Sequence, residues 1–235
     1  MTHRRIYRSL SLLVILALTA SGGLGLRASN AESAAPPFRL PFTTPPGPST
    51  WYIAQWYGNT IWAYRNWPDL YSEGQGFHFG IDFAAPCGTP VVSIGDGVVF
   101  AVDGPYGAPP HNLVINLGNG YFSLFGHLHA RPTVYVGEHV KRGQVVAYSG
   151  DPTGTCTEAS HLHLEIRRTG MSAAVDPVPL INADWRTLTI GADTLGSQFE
   201  VDLSNPSRWQ TNENQPETEF GGPILNNYSS AWPPK

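Results

Sequence analysis

The sequence predicts an all-β protein, an antiparallel sandwich or barrel-like sheet, on three observations. Short runs rich in Val, Ile, Tyr and Phe recur at close spacing between turn signals. Glycine (25) and proline (21) are both abundant in 235 residues, which favours turns over long helices. No stretch of a dozen residues repeats its apolar positions at the helical period.

Residues 51–56 read as the first strand, ending at Gly58-Asn59. Residues 60–75, with Trp62, Tyr64, Trp67 and Tyr71, are less regular: a loop with room for a short helical turn. The four Trp from Trp51 to Trp67 either fill the core or line a cleft, and burial is the default for at least half of them. Strands at 90–94 and 97–102 meet at Gly95-Asp96. Strands at 113–117 and 121–125 flank Gly118-Asn119-Gly120, a hairpin signal because Asn and Gly tolerate positive φ. Residues 134–136 form a further short strand, 140–143 a turn, and 144–148 the strand that follows. A strand at 162–167 closes the regular series. Two weaker candidates lie at 187–190 and 199–203. Residues 205–235, rich in Asn, Pro, Ser and Glu, read as a poorly ordered tail.

The N-terminus carries Arg4, Arg5 and Arg8, then the apolar run 10–20, then small residues around Ser29-Asn30-Ala31. This is the layout of a signal peptide cleaved after Ala31, with an uncleaved anchor as the alternative. The organisation expected is a signal peptide at 1–31, a Pro-rich linker at 32–50, one domain at 51–180 and a partly disordered C-terminal extension at 181–235. Without residues 1–31, 10 basic residues face 18 acidic ones, a net charge of −8. That leaves no basic stripe for nucleic acid. It also leaves no gross attraction to an anionic polymer, so any substrate grip is local. The only cysteines are Cys87 and Cys156. In an exported protein a pair invites a disulfide; two separate thiols or a soft metal site are the alternatives.

Five polar residues carry the chemical signal: His78, Asp82, His127, His161 and His163. Two imidazoles and a carboxylate are a natural ligand set for a catalytic zinc, with a fourth position left for water. Two further histidines are then free to move protons or stabilise charge. A strand projects alternate side chains to one face, so His161, His163 and Glu165 share a face while Leu162, Leu164 and Ile166 face the core. His111, His129 and His139 fall outside the pattern and read as surface residues.

The order of short motifs resembles the lysostaphin-type (LytM-like) zinc endopeptidases that cut bacterial peptidoglycan. The landmarks are His78-Phe79-Gly80-Ile81-Asp82, then Ala85-Pro86-Cys87-Gly88-Thr89-Pro90-Val91 and Gly95-Asp96-Gly97. They continue with His127-Leu128, the Val140 to Gln144 turn and His161-Leu162-His163-Leu164-Glu165. The resemblance implies the family's β fold, zinc on His78, Asp82 and His163, and His127 and His161 as the catalytic pair beside it. Glu165 is a candidate for orienting an imidazole. It further implies an exported, cell-envelope enzyme acting on peptidoglycan peptide, without stable membrane insertion once the signal is removed. A non-catalytic wall-binding or activating module of the same family is the alternative. A secreted β-sandwich with a structural metal is a third reading, which leaves the two extra histidines unexplained. Phe125 stands where the family commonly has Tyr, and the 153–160 loop departs from its usual pattern through Cys156 and Glu158.

Overall fold

The computed structural model describes residues 36–60, 62–63, 66, 69–71, 76–157, 159–188, 201–202, 205–209 and 215–220. The expected signal segment lies outside these residues, as do residues 189–190 of the 187–190 candidate strand; Thr187 closes a 3-10 turn instead of opening a strand. No helix among the described residues is long and apolar enough to cross a membrane.

Among the described residues, thirteen strands and two 3-10 turns follow one another: β1 (Tyr52–Gln55), β2 (Ile81–Ala84), β3 (Pro90–Val92), β4 (Gly97–Val102), β5 (Leu113–Gly118), β6 (Tyr121–Gly126), β7 (His139–Val140), β8 (Val145–Tyr148), β9 (His161–Arg168), β10 (Ala173–Val175), β11 (Val201–Asp202), β12 (Asn205–Trp209) and β13 (Thr218–Glu219). Trp62 and Ala63 are helical, within the stretch 60–75 read as a loop with room for a helical turn. The main sheet has nine strands, with a path β1-β2-β9-β6-β5-β4-β7 and with β10 and β13 added beside β9. Every pairing in it is antiparallel. β3 and β8 make a separate antiparallel pair. The all-β antiparallel class is therefore as the sequence predicts, with the β3–β8 pair packed on the open sheet in a sandwich-like way.

The long strand β9 organises the molecule. Its Leu162, Leu164 and Ile166 are fully buried and join Phe83, Ile81 and Phe125 from the neighbouring strands. Val91, Val146 and Ala147 of the β3–β8 pair close the same core. The opposite face is also covered. There Val114, Phe122, Leu124 and Met171 pack beneath Ala101, Tyr106 and Ala108. So the polar side chains of β9 stand in a second, partly apolar layer rather than in open solvent.

Several expectations are corrected. Residues 134–136 are not a strand: Val134 is buried but Tyr135 and Val136 point outward, and the pairing to β4 falls on His139–Val140. β2 and β10 were not anticipated, because each is short and buried on both faces and so lacks a polar alternation. The Pro-rich stretch is not a free linker beyond residue 36. Phe38 bridges to Ile181 by backbone pairing, and Phe42 stacks on Trp51 with ring centroids 5.2 Å apart. Its prolines leave backbone donors to be missing, but the phenylalanines still bury. The tail is likewise not wholly unstructured, since β13 pairs with β10 through Ala174 and Thr218.

Phe42 gives a direct check on where the folded unit begins. It is 3% exposed and packs against Trp51 and Phe83. Phe42→Ala is expected to cost about 3–5 kcal/mol in urea unfolding, whereas a linker residue would cost close to nothing.

Candidate metal centre

The site starts from strand register. β2 and β9 pair so that Asp82 lies opposite His163 and Ala84 opposite His161. On the other side of β9, Gly126 of β6 lies opposite His163, which brings His127 at the strand's end to the same place. His78 precedes β2 and is fixed by a reciprocal backbone bridge to Gly58. Gly80 is required between them. A Cβ there would sit 2.6 Å from the Leu164 carbonyl and 2.7 Å from the His163 ring, so only glycine lets the ring lie against the backbone.

The result is a compact donor cluster. His163 Nδ1 is 2.8 Å and His78 Nε2 3.3 Å from Asp82 Oδ1, and the two nitrogens are 3.2 Å apart. All three residues are buried. His161 Nε2 lies 3.8 Å from the same carboxylate oxygen. The His127 ring stands 4.8 Å from that of His161 and 5.7 Å from that of His163, centroid to centroid. Thus all five side chains singled out in the sequence converge.

Each imidazole has one nitrogen held from outside. His78 Nδ1–H donates to the Trp56 carbonyl at 2.7 Å, and His161 Nδ1–H to that of Ala159 at 2.7 Å. His127 Nδ1–H donates to the Pro109 carbonyl. His163 Nε2–H donates to Glu165 Oε1 at 3.0 Å. The remaining nitrogen of each ring is not engaged by these outer partners, and for His78, His161 and His163 it is the nitrogen nearest Asp82; at His163 it is Nδ1, which in the metal-free ring donates to Asp82 Oδ1. Outer partners of this kind fix tautomer and orientation in metal sites. His127 itself has φ of 53°, a left-handed conformation that is uncommon outside glycine and recurs at functional sites.

Two observations fit the cluster to zinc. The donor separations of 2.8–3.3 Å are close to the edge of about 3.3 Å expected for a tetrahedron with bonds of about 2.0–2.1 Å. Second, the ion-pair partners found for Asp82 are all histidines. A buried carboxylate ringed by imidazoles calls for positive charge, which a protonated imidazole or a metal cation supplies.

The electrostatics agree in direction. Burial would raise Asp82, but His78, His161 and the hydrogen bond from His163 hold it well below the usual carboxylate range. Burial opposes a charge on His163, yet hydrogen bonds to Asp82 and Glu165 raise it to about 9. That site prefers positive charge, and a metal ion entering it would displace a proton. Burial, reinforced by His163 and His161, lowers His127 to about 4, so this ring is neutral at physiological pH. Glu165 is not a solvent-facing carboxylate: it is 4% exposed. Burial would raise it, but Arg167 and His163 hold it at about 2.

Sequence reasoning missed the residues behind the ring. Arg167 makes a two-pronged ion pair with Glu165, Nε to Oε2 at 2.6 Å and Nη2 to Oε1 at 3.0 Å, and also bonds the Tyr106 carbonyl. The same alternation that grouped His161, His163 and Glu165 extends one step to Arg167, so that signal was present. The backbone carbonyls of Trp56, Pro109 and Ala159 have no side-chain signature and could not be read.

Cys87 and Cys156 are joined in a disulfide, with Cα atoms 5.9 Å apart. It ties the turn after β2 to the loop that delivers His161. His129 Nδ1 lies 3.2 Å from Cys156 Sγ. Of the histidines outside the pattern, His111 bonds Asp103 and His139 is exposed on β7. Intact-mass analysis after alkylation without reductant is expected to show neither cysteine modified, and both modified after reduction in denaturant. Labelling of the unreduced protein would contradict the bridge.

Residues 76–177 match the model of Peptidase family M23. Lysostaphin of Staphylococcus staphylolyticus is 34% identical over 135 residues, 56% of this chain and 28% of its own length. The peptidoglycan DD-endopeptidase ShyA of Vibrio cholerae is 43% identical over 90 residues, 38% of this chain and 20% of its own. This chain thus spans less than a third of either relative. Among solved structures, the catalytic domain of lysostaphin from Staphylococcus simulans is 27% identical, covering 55% of this chain and 90% of that one, with a TM-score of 0.44. The matched stretch contains His78, Asp82, His127, His161 and His163, and the chain accordingly carries a Peptidase family M23 domain at residues 76–177.

Proposed function

We propose that this protein is an exported zinc metalloendopeptidase that hydrolyses peptide bonds in bacterial peptidoglycan. The observation that carries the reading is the convergence of His78 Nε2, Asp82 Oδ1 and His163 Nδ1 within 3.3 Å of one another, with His127 and His161 beside them. The substrate class is supported by relatives named as a peptidoglycan DD-endopeptidase and a glycyl-glycine endopeptidase.

In this reading His78, Asp82 and His163 hold zinc. Bound there, the ion would supply a Lewis acid for the scissile carbonyl and lower the pKa of a water toward neutrality. The remaining chemistry belongs to the chain. Glu165 and Arg167 keep the His163 lone pair turned inward. His127 is neutral, its Nδ1–H committed to Pro109, so Nε2 is suited to accept a proton from the attacking water. His161 has the same arrangement on Ala159, with Nε2 beside Asp82 (3.8 Å); once protonated it donates to the oxyanion that forms in the tetrahedral transition state. Both histidines sit on rigid supports, a strand end and the first residue of β9, which holds their spacing during the reaction.

Metal content tests the ligand assignment. His163→Ala leaves two ligands and is expected to lose most of the zinc found in the wild type after gel filtration. Stoichiometric zinc in that variant would reject the assignment.

Turnover tests the pair. His127→Ala and His161→Ala should each reduce fragment release from purified peptidoglycan about 10²–10⁴-fold while zinc content stays at the wild-type level. A wild-type protein that carries zinc and binds peptidoglycan but releases no fragments from any cross-link type would favour the non-catalytic, wall-binding reading instead.

A further inference from the structure

We propose that residues 215–220, which lie beyond the matched family domain, are a positioning element of the metal centre, and that Phe220 is the side chain that couples them to it. The inference rests on the zinc reading above and concerns residues that neither bind the ion nor touch substrate.

The segment reaches the site by two routes. Phe220 lies against Phe79, ring centroids 4.3 Å apart, and Phe79 stands between His78 and Asp82 in the chain. On the same ring, the Arg167 guanidinium sits 4.2 Å from the centroid, a cation–π contact. Arg167 is 4% exposed. Its hydrogen bonds to Glu165 and Tyr106 fix the edges of the guanidinium, and Phe220 covers a face. The chain of contact is Phe220 to Arg167, Arg167 to Glu165, Glu165 to His163 Nε2. Removing the ring frees the guanidinium to tilt, and the carboxylate that sets the His163 tautomer loosens with it.

The second route supports His78. Gln215 Oε1 accepts the Asn59 N–H at 3.2 Å. Gln215 also lies so close to Gly58 that a Cβ there would fall 2.6 Å from its Cγ. Gly58 is the residue whose backbone pairs with His78 in both directions, at 2.8 and 3.0 Å. Next to it, the Tyr57 hydroxyl lies 2.8 Å from the Pro216 carbonyl and 3.0 Å from that of Ala174, with one proton to share between them. The segment is anchored independently by the β13–β10 pairing, by the Phe220 N–H to the Ser172 carbonyl at 3.1 Å, and by an Arg168–Glu217 ion pair at 3.0 Å. It is thus held by contacts away from the site and presses on both ends of the ligand set.

The test uses the full chain loaded with zinc and follows release of the metal to a chromogenic chelator. Phe220→Ala and Phe220→Leu are expected to release zinc about ten-fold faster, the low end of the range for partners outside the ligands. Phe220→Tyr keeps the π face and should return the wild-type rate. In the metal-free protein the His163 Nε2–H proton, seen by NMR, should exchange faster with solvent in the Ala and Leu variants and not in the Tyr variant. Wild-type release and exchange in the Ala and Leu variants overturn the proposal. So does equal behaviour of the Leu and Tyr variants, because Phe220 would then only fill space. Should the Ala variant fail to fold, the Leu–Tyr comparison decides. A wild-type chain that takes up no zinc would reject the zinc reading, while the proton exchange would still judge Phe220.

Discussion

The antiparallel register of β2 against β9 is the constraint on which the rest depends. It sets Asp82 opposite His163 and buries Phe83 and Leu162 on the other face in the same stroke. Because side chains alternate, slipping β2 by one residue would send Asp82 into the core and Phe83 into the site. The apolar face therefore enforces the geometry of the polar one. Ile81, Phe83, Leu162 and Leu164 are all fully buried, and the cost of exposing any of them, about 1.5–3 kcal/mol each, is the energy that holds the donors in place. The donor cluster does not set this register by itself, since the desolvation of a buried carboxylate and its imidazoles offsets much of their mutual attraction.

Much of the site was legible in the sequence because it is written on regular structure. His161, His163 and Glu165 share a face for the same reason that Leu162 and Leu164 share the other. Arg167 belongs to the same series and was passed over only because its chemistry is that of an ion pair rather than of a ligand. The strands with exposed residues were read well, as β4, β5 and β8 show; β6 is buried almost throughout but follows the Gly118-Asn119-Gly120 hairpin signal. β2, buried on both sides and only four residues long, gave no alternation to detect. The Pro-rich stretch misled in the opposite sense. Its composition is that of a linker, but Phe38 and Phe42 are spaced so that both reach the core, and two aromatic side chains outweigh the prolines around them. β13 is two residues long, below what any pattern can reveal. It forms because β10 offers an unpaired edge.

The supports of the four imidazoles divide by origin. His163 is held by side chains, Glu165 and behind it Arg167, and this part can be altered by substitution. His78, His127 and His161 are held by backbone carbonyls of Trp56, Pro109 and Ala159, which substitution cannot remove. Their placement is instead a property of the loops that carry those carbonyls. The 103–112 loop is such a case. Asn112 binds Gly104 and Gly107 through its side chain, and Arg167 holds the Tyr106 carbonyl. One guanidinium thus braces a loop that orients His127 and a carboxylate that orients His163.

The pairing of β13 with β10 has a consequence for the outer boundary of the molecule. β10 is fully buried along its three residues, and its far edge carries backbone donors and acceptors that β13 satisfies. A chain ended soon after residue 180 would retain every residue of the donor cluster. It would nevertheless present an open strand edge beside the uncovered ring of Phe79, a template onto which a second copy can add. The short return of the tail therefore also serves as insulation. Among the described residues β13 is only two residues long, and it is this short strand that covers the edge of β10.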